Sequence, residues 1–156
     1  MSTPTLDSAK ARMTDQAAER DARANAAPPI VFFDGVCGLC NTSVDFLLAR
    51  DRRRALRYAP LQGETAAARL DPRDIEALKS IVLVDEAGTH RHSTAIVRIL
   101  WHLGGGWRAA AALVWLIPRP LRNLGYRFLS ANRYRLFGQK DACRMPSPDE
   151  RALFLP

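Results

Sequence analysis

The segment Cys37-Gly38-Leu39-Cys40 holds two thiols two residues apart, just after a turn and ahead of a helix-forming stretch. At a helix start, unpaired backbone N–H groups and the positive end of the helix dipole stabilise a thiolate on the first Cys. The second Cys, three residues on, falls on the same helix face, one turn deeper and more shielded. Such a pair closes a disulfide with little backbone movement and opens again when another thiol attacks. The expected chemistry is dithiol–disulfide exchange, with Cys37 attacking from an exposed helix start and Cys40 resolving. Lowering a thiol pKa from ~8.5 to ~6.5 takes about 2.7 kcal/mol, and the helix terminus alone supplies up to ~2 kcal/mol. The remainder falls to a hydrogen bond from the Cys40 S–H. No metal or organic cofactor is required.

Other residues could join this chemistry, and each has a plainer reading. Asp34, three residues before Cys37, could take the proton of Cys40 during resolution; equally, it could be a turn residue bonding nearby backbone N–H groups. Ser93 and Thr94 open a later helix, where an anionic substrate group would be favoured; plain capping explains them as well, with Ser93 as the N-cap. Cys143 could be a third redox thiol or a small buried residue. With His90 or His92 it could also complete a zinc site, since a second CxxC or HxxxH pair is missing.

These residues need elements to position them. Ile30-Val31-Phe32-Phe33 is an apolar, β-rich run of the kind that forms a buried central strand. Asp34-Gly35-Val36 turns the chain, and Leu39, Val44, Phe46, Leu47 and Leu48 recur near helical spacing as far as Arg50. Leu56–Leu61 is a second extended segment, so the connection predicts a right-handed crossover between parallel strands. Residues 62–79 suggest one or two short helices, with a fresh start at Asp71-Pro72. Ser80–Val84 and Thr89–His92 read as a hairpin around Asp85-Glu86-Ala87-Gly88, followed by a helix that Gly104-Gly105-Gly106 ends. Residues 107–131 read as two helices broken at Pro118-Arg119-Pro120. Leu121, Leu124, Phe128 and Leu129 are expected to face the core, and the remaining C-terminal stretch to be irregular.

The 156 residues are 47% hydrophobic and 25% charged, enough for one domain with its own core. Residues 1–27 are polar, carry four basic and four acidic side chains, and are expected to form a disordered tail before a domain spanning 28–156. Three cysteines are too few for a disulfide scaffold. The longest apolar run, the nine residues Ala109–Ile117, is too short for a membrane span. The start has no apolar signal segment, so the default compartment is the cytoplasm, where a close Cys pair serves catalysis or metal binding. The net charge of +7 lies entirely after residue 27. It leaves anionic partners open, but no nucleic-acid motif accompanies the arginines. Docking of Trp107, Trp115 and the basic helix on an anionic membrane is the other use that charge could serve.

Asp34-Gly35-Val36-Cys37-Gly38-Leu39-Cys40 resembles the D-G-x-C-x-x-C signature of the DCC family of thiol–disulfide oxidoreductases. The resemblance runs on through Ser93-Thr94-Ala95, Ile117–Pro120, Tyr126, Asn132–Gly138 and Cys143-Arg144-Met145-Pro146, covering about residues 29–146. It implies an α/β, thioredoxin-like fold, a mixed β-sheet with flanking helices and a helical C-terminal extension, and it carries over Asp34, Cys37 and Cys40. Ordinary thioredoxins place a cis Pro before the third strand; here Leu78-Lys79-Ser80 precede Ile81. The expected function is exchange with a protein or small thiol or disulfide, glutathione being one example, at a site without metal. The competing reading is a non-enzymatic binding module, zinc-stabilised or associated with membrane or nucleic acid through its basic face.

Overall fold

The computed structural model describes residues 27–72, 75, 81–138 and 145–156. Strand β1 (Ile30–Phe33) is buried along its whole length, as its unbroken apolar run requires. Helix α1 (Gly38–Arg50) leads to β2 (Arg57–Pro60), which pairs parallel with β1 in the register Ile30–Arg57 to Phe33–Pro60. The short helix α2 (Glu64–Arg69) follows. Pro72 and Ile75 are also helical, and the Ile75 N–H bonds the Asp71 carbonyl at 3.2 Å, in keeping with a start at Asp71-Pro72. Strand β3 (Val82–Asp85) and strand β4 (Gly88–Arg91) form the hairpin, with Gly88 at φ 115°. The four-stranded mixed sheet has the order β2-β1-β3-β4, with β3 antiparallel to both neighbours. This α/β arrangement is that of a thioredoxin-like fold. The segment before the third strand, residues 76–80, lies outside the described residues.

Each face of the sheet carries its own core. Val31, Phe33, Tyr58 and Leu83 pack with Val44 and Leu47 of α1 and with Ala95, Ile99 and Leu103 of α3 (His92–Leu103). Phe32, Ala59 and Val82 pack on the other side with Leu61, Ala66 and Leu70. Beyond α3 come α4 (Gly106–Leu116) and α5 (Arg119–Phe137), with Pro118 as N-cap and Pro120 in the first turn of α5. The break at the two prolines is as the sequence predicts, but α5 continues to Phe137. The chain end is not wholly irregular either. A 3₁₀ turn (Arg151–Leu153) brings Phe154 into a bridge with Tyr58 and stacks the two rings 5.6 Å apart, covering the open edge of β2.

Two expectations are corrected. Leu121, Leu124, Phe128 and Leu129 do not face the core; all four are exposed. The inward side of α5 instead carries Arg133, its one buried residue, because a buried carboxylate near α1 needs polar partners. Ser93 is not the N-cap of α3. The helix begins two residues earlier, at His92, which takes φ 55°, and the capping position is Arg91. His92 is therefore outside β4. Among the described residues, no helix is long and apolar enough to cross a membrane.

Candidate redox site

The Asp34-Gly35-Val36 turn sets the geometry of the cysteines. The Cys37 N–H bonds the Asp34 carbonyl at 3.2 Å, which closes the turn and leaves Cys37 as the N-cap of α1. The Asn41 side chain, fully buried, donates to the Gly35 carbonyl at 2.8 Å and ties the turn back to the helix. Cys37 and Cys40 are both free thiols.

The helix start is not open to solvent. Cys37 is 0% and Cys40 3% exposed, because the last turn of α5 lies across the beginning of α1. The Gly38 N–H donates to the Gly138 carbonyl at 3.2 Å. One of the backbone donors expected to stabilise the thiolate is thus already engaged. The approach is so close that a side chain at position 38 would meet the Phe137 carbonyl oxygen at 2.2 Å. Gly38 is required here by contact, not by its dihedral angles.

Asp34 is buried, and both of its carboxylate oxygens accept hydrogen bonds. Its Oδ1 accepts from the Val36 N–H at 3.2 Å and from Gln62 Nε2 at 3.0 Å, while Gln62 Oε1 accepts from the Gly35 N–H. Its Oδ2 accepts from the Tyr134 hydroxyl at 2.7 Å, with Arg133 Nη2 3.9 Å away. Arg133 is itself buried, donates to Ser130 Oγ and Tyr134 Oη, and lies 4.5 Å above the Tyr134 ring. Burial opposes its charge, but Tyr134 and the two cysteine sulfurs outweigh that and keep the guanidinium protonated.

The two thiols differ in their surroundings. Burial pushes the Cys40 thiol up to about 12, helped by the adjacent Cys37 sulfur and by the Asp34 charge. A backbone hydrogen bond from Asp34 works in the other direction and is outweighed. At neutral pH Cys40 therefore holds its proton.

A cavity of about 330 Å³ lies where α1, α3 and α5 meet. Cys40 is part of its wall; Leu39, Ile96 and Leu129 make it apolar, and Arg122, Arg133 and Ser93 add polar groups. Ser93 is thus brought to the same cavity as Cys40, its hydroxyl held by Arg122 Nε at 2.8 Å and by Asn123. Thr94 is not: it lines a separate groove with Arg98, Trp101 and Arg108. His90 is bonded to Asp85 at 2.9 Å and His92 packs edge-on against Tyr126. Among the described residues, no group of three or more His, Cys, Asp or Glu side chains is placed to hold a metal ion. Cys143 lies outside the described residues.

Gln62, Asn41, Arg133 and Tyr134 are not among the residues that the sequence assigns to the redox site. Arg133 and Tyr134 stand within the Asn132–Gly138 stretch of the family resemblance. Nothing local marks Gln62 or Asn41.

A family model for the DCC1-like thiol-disulfide oxidoreductase matches residues 31–139. The chain is 36% identical over 129 residues to the uncharacterized protein YuxK of Bacillus subtilis (strain 168), covering 81% of this chain and 93% of that one. It is also 33% identical over 119 residues to the DCC family protein At1g52590, chloroplastic, of Arabidopsis thaliana, covering 75% of this chain and 69% of that one. No solved structure matches the chain at a significant level.

Proposed function

Because this chain belongs to the DCC1-like thiol-disulfide oxidoreductase family, we propose that it exchanges dithiol for disulfide through Cys37 and Cys40. The observation that carries this reading is the placement of two free thiols at the start of α1, Cys37 as the N-cap and Cys40 buried one turn deeper in the wall of the cavity. Cys37 is the attacking sulfur. It bonds to one sulfur of a substrate disulfide, and the other sulfur leaves as a thiolate and takes a proton. Cys40 then gives its proton to Asp34 and attacks the Cys37 sulfur, releasing the second substrate thiol and leaving a Cys37–Cys40 disulfide. The enzyme loses two electrons and the substrate gains two; the reverse sequence oxidises a dithiol. Proton acceptance by Asp34 is supported by its charge acting on Cys40 and by the Tyr134 and Gln62 hydrogen bonds that hold the carboxylate in place.

The partner is a protein or small molecule carrying a thiol or disulfide, glutathione included. Ser93, in the cavity beside Cys40, serves substrate binding in this reading, whereas the placement of Thr94 gives it no support. The reaction uses no metal or organic cofactor, and its compartment is the cytoplasm. Residues 28–156 form the functional domain.

Trapping tests the roles. Cys40→Ser should accumulate a mixed disulfide through Cys37, visible by mass spectrometry, since nothing remains to resolve it. Cys37→Ser should trap almost nothing, and Cys143→Ser should still turn over. Retained activity in Cys37→Ser would reverse the assignment.

A further inference from the structure

We propose that α4 and α5 form a docking surface that lies flat on an anionic lipid bilayer. This does not depend on the redox reading. The argument begins with what these helices fail to bury. Helix α4 is apolar nearly all round, yet Ala111 is its only buried residue. A helix of that composition belongs inside a core or in contact with lipid. Leu113 and Leu116 on α4, Ile117 at the break, and Leu121, Leu124 and Phe128 at helical spacing on α5 are all exposed. Leu116 is 75% and Phe128 70% open, far beyond the scattered apolar exposure of an ordinary surface.

Charge identifies the occupant. From Ala87 to Lys140 the chain has no Asp or Glu, while Arg108, Arg119, Arg127 and Arg135 are all exposed on α4 and α5. Exposed apolar side chains on two helices whose own charged residues are all cations are the composition of an interfacial segment on anionic headgroups. Beside α4, Glu86 brings a carboxylate into the groove with Arg108 and Arg119. Arginine stems can lie along the apolar surface while the guanidinium reaches the headgroups. A second copy would bring two surfaces of the same positive sign together. Nucleic acid would leave the exposed aliphatic side chains without a partner. Residues 1–26 offer only Met1, Leu6 and Met13 as large apolar side chains and sum to zero charge, too little to cover it.

Co-sedimentation of the full chain with vesicles tests this. The protein should pellet with phosphatidylcholine vesicles containing about one-third phosphatidylglycerol, should not pellet with phosphatidylcholine alone, and should be released by salt. Arg127→Gln and Arg135→Gln should each weaken partitioning about fivefold. Leu124→Ser and Phe128→Ser should each weaken it about tenfold, with unchanged thermal melting and unchanged disulfide exchange in solution. Failure to pellet with anionic vesicles would overturn the proposal. So would binding that is indifferent to Leu124→Ser and Phe128→Ser, which would reduce it to charge condensation. A dimer in vesicle-free sedimentation that Phe128→Ser abolishes would overturn it in favour of a second copy.

Discussion

Gly38→Ala should loosen the cover over the cysteines and leave a clear energetic trace. The added methyl would sit 2.2 Å from the Phe137 carbonyl oxygen and 3.0 Å from that of Gly138. Both obstacles are backbone, so no side-chain rotation relieves them, and the end of α5 must retreat by roughly 1 Å to restore ordinary contact. Three effects compete. Alanine is favoured over glycine in a helix by about 1 kcal/mol. Overpacking of this kind costs about 1–3 kcal/mol, and loss of the Gly38–Gly138 hydrogen bond about 1 kcal/mol more. The net expectation is destabilisation by about 1–3 kcal/mol, read as a lower urea midpoint with an unchanged slope. The same retreat should expose Cys37, so its alkylation by iodoacetamide should accelerate. Gly125, within α5, has nothing within 4 Å of an added methyl. Gly125→Ala should therefore stabilise by about 0.5–1 kcal/mol without changing alkylation. If Gly38→Ala matched the parent in both stability and alkylation, the α5 end would not be seated on α1 as described.

Asp34→Asn should slow resolution of the mixed disulfide by about 100-fold while sparing the first attack, because an amide cannot take the Cys40 proton; in single-turnover quench experiments, equal slowing of both steps would reduce Asp34 to a turn residue. In Cys37→Ser, Cys40 should alkylate ever faster with rising pH and show no plateau below the ordinary thiol range, because burial is the main cause of its raised pKa. Burial alone would raise the Asp85 carboxyl, but hydrogen bonds from Arg98, His102, His90 and the Ala87 N–H outweigh it and hold it at about 2 against an ordinary 3.8. A depressed carboxyl stabilises the fold above its unfolded pKa and loses that contribution as pH falls through the folded one. Asp85→Asn should thus cost about 2 kcal/mol at pH 7 in urea titrations, and the difference from the parent should vanish between about pH 4 and pH 2.

The elements around the cysteines were legible because they are local. The Ile30–Phe33 run, the Asp-Gly turn, the hairpin at Gly88 and the break at Pro118 and Pro120 each announce themselves within a few residues. The orientation of α5 was not legible. That helix has two candidate inward faces, one with Leu121, Leu124 and Phe128, the other with Tyr126, Ser130 and Arg133. Periodicity favours the aliphatic face, but the buried Asp34 carboxylate requires donors, and only the polar face supplies Tyr134 and Arg133 with it. The exposure expected for Cys37 failed for the same reason, since the polar face draws the end of α5 onto Gly38. Ser93 looked like a cap because its residue type suits one. The left-handed turn at His92 starts the helix two residues early and frees the Ser93 hydroxyl for Arg122 and Asn123.

The Tyr134–Asp34 bond joins residues 100 positions apart, and this separation has a consequence during synthesis. At ~5–20 residues per second, the cysteine turn leaves the ribosome roughly 5–20 s before the tyrosine that will fasten it. Through that interval both sulfurs belong to a nascent chain without its final helix and meet whatever oxidants and reductants surround it. The electron inventory with which the finished molecule begins its working life is set by the translating cell, before the molecule has the means to set it.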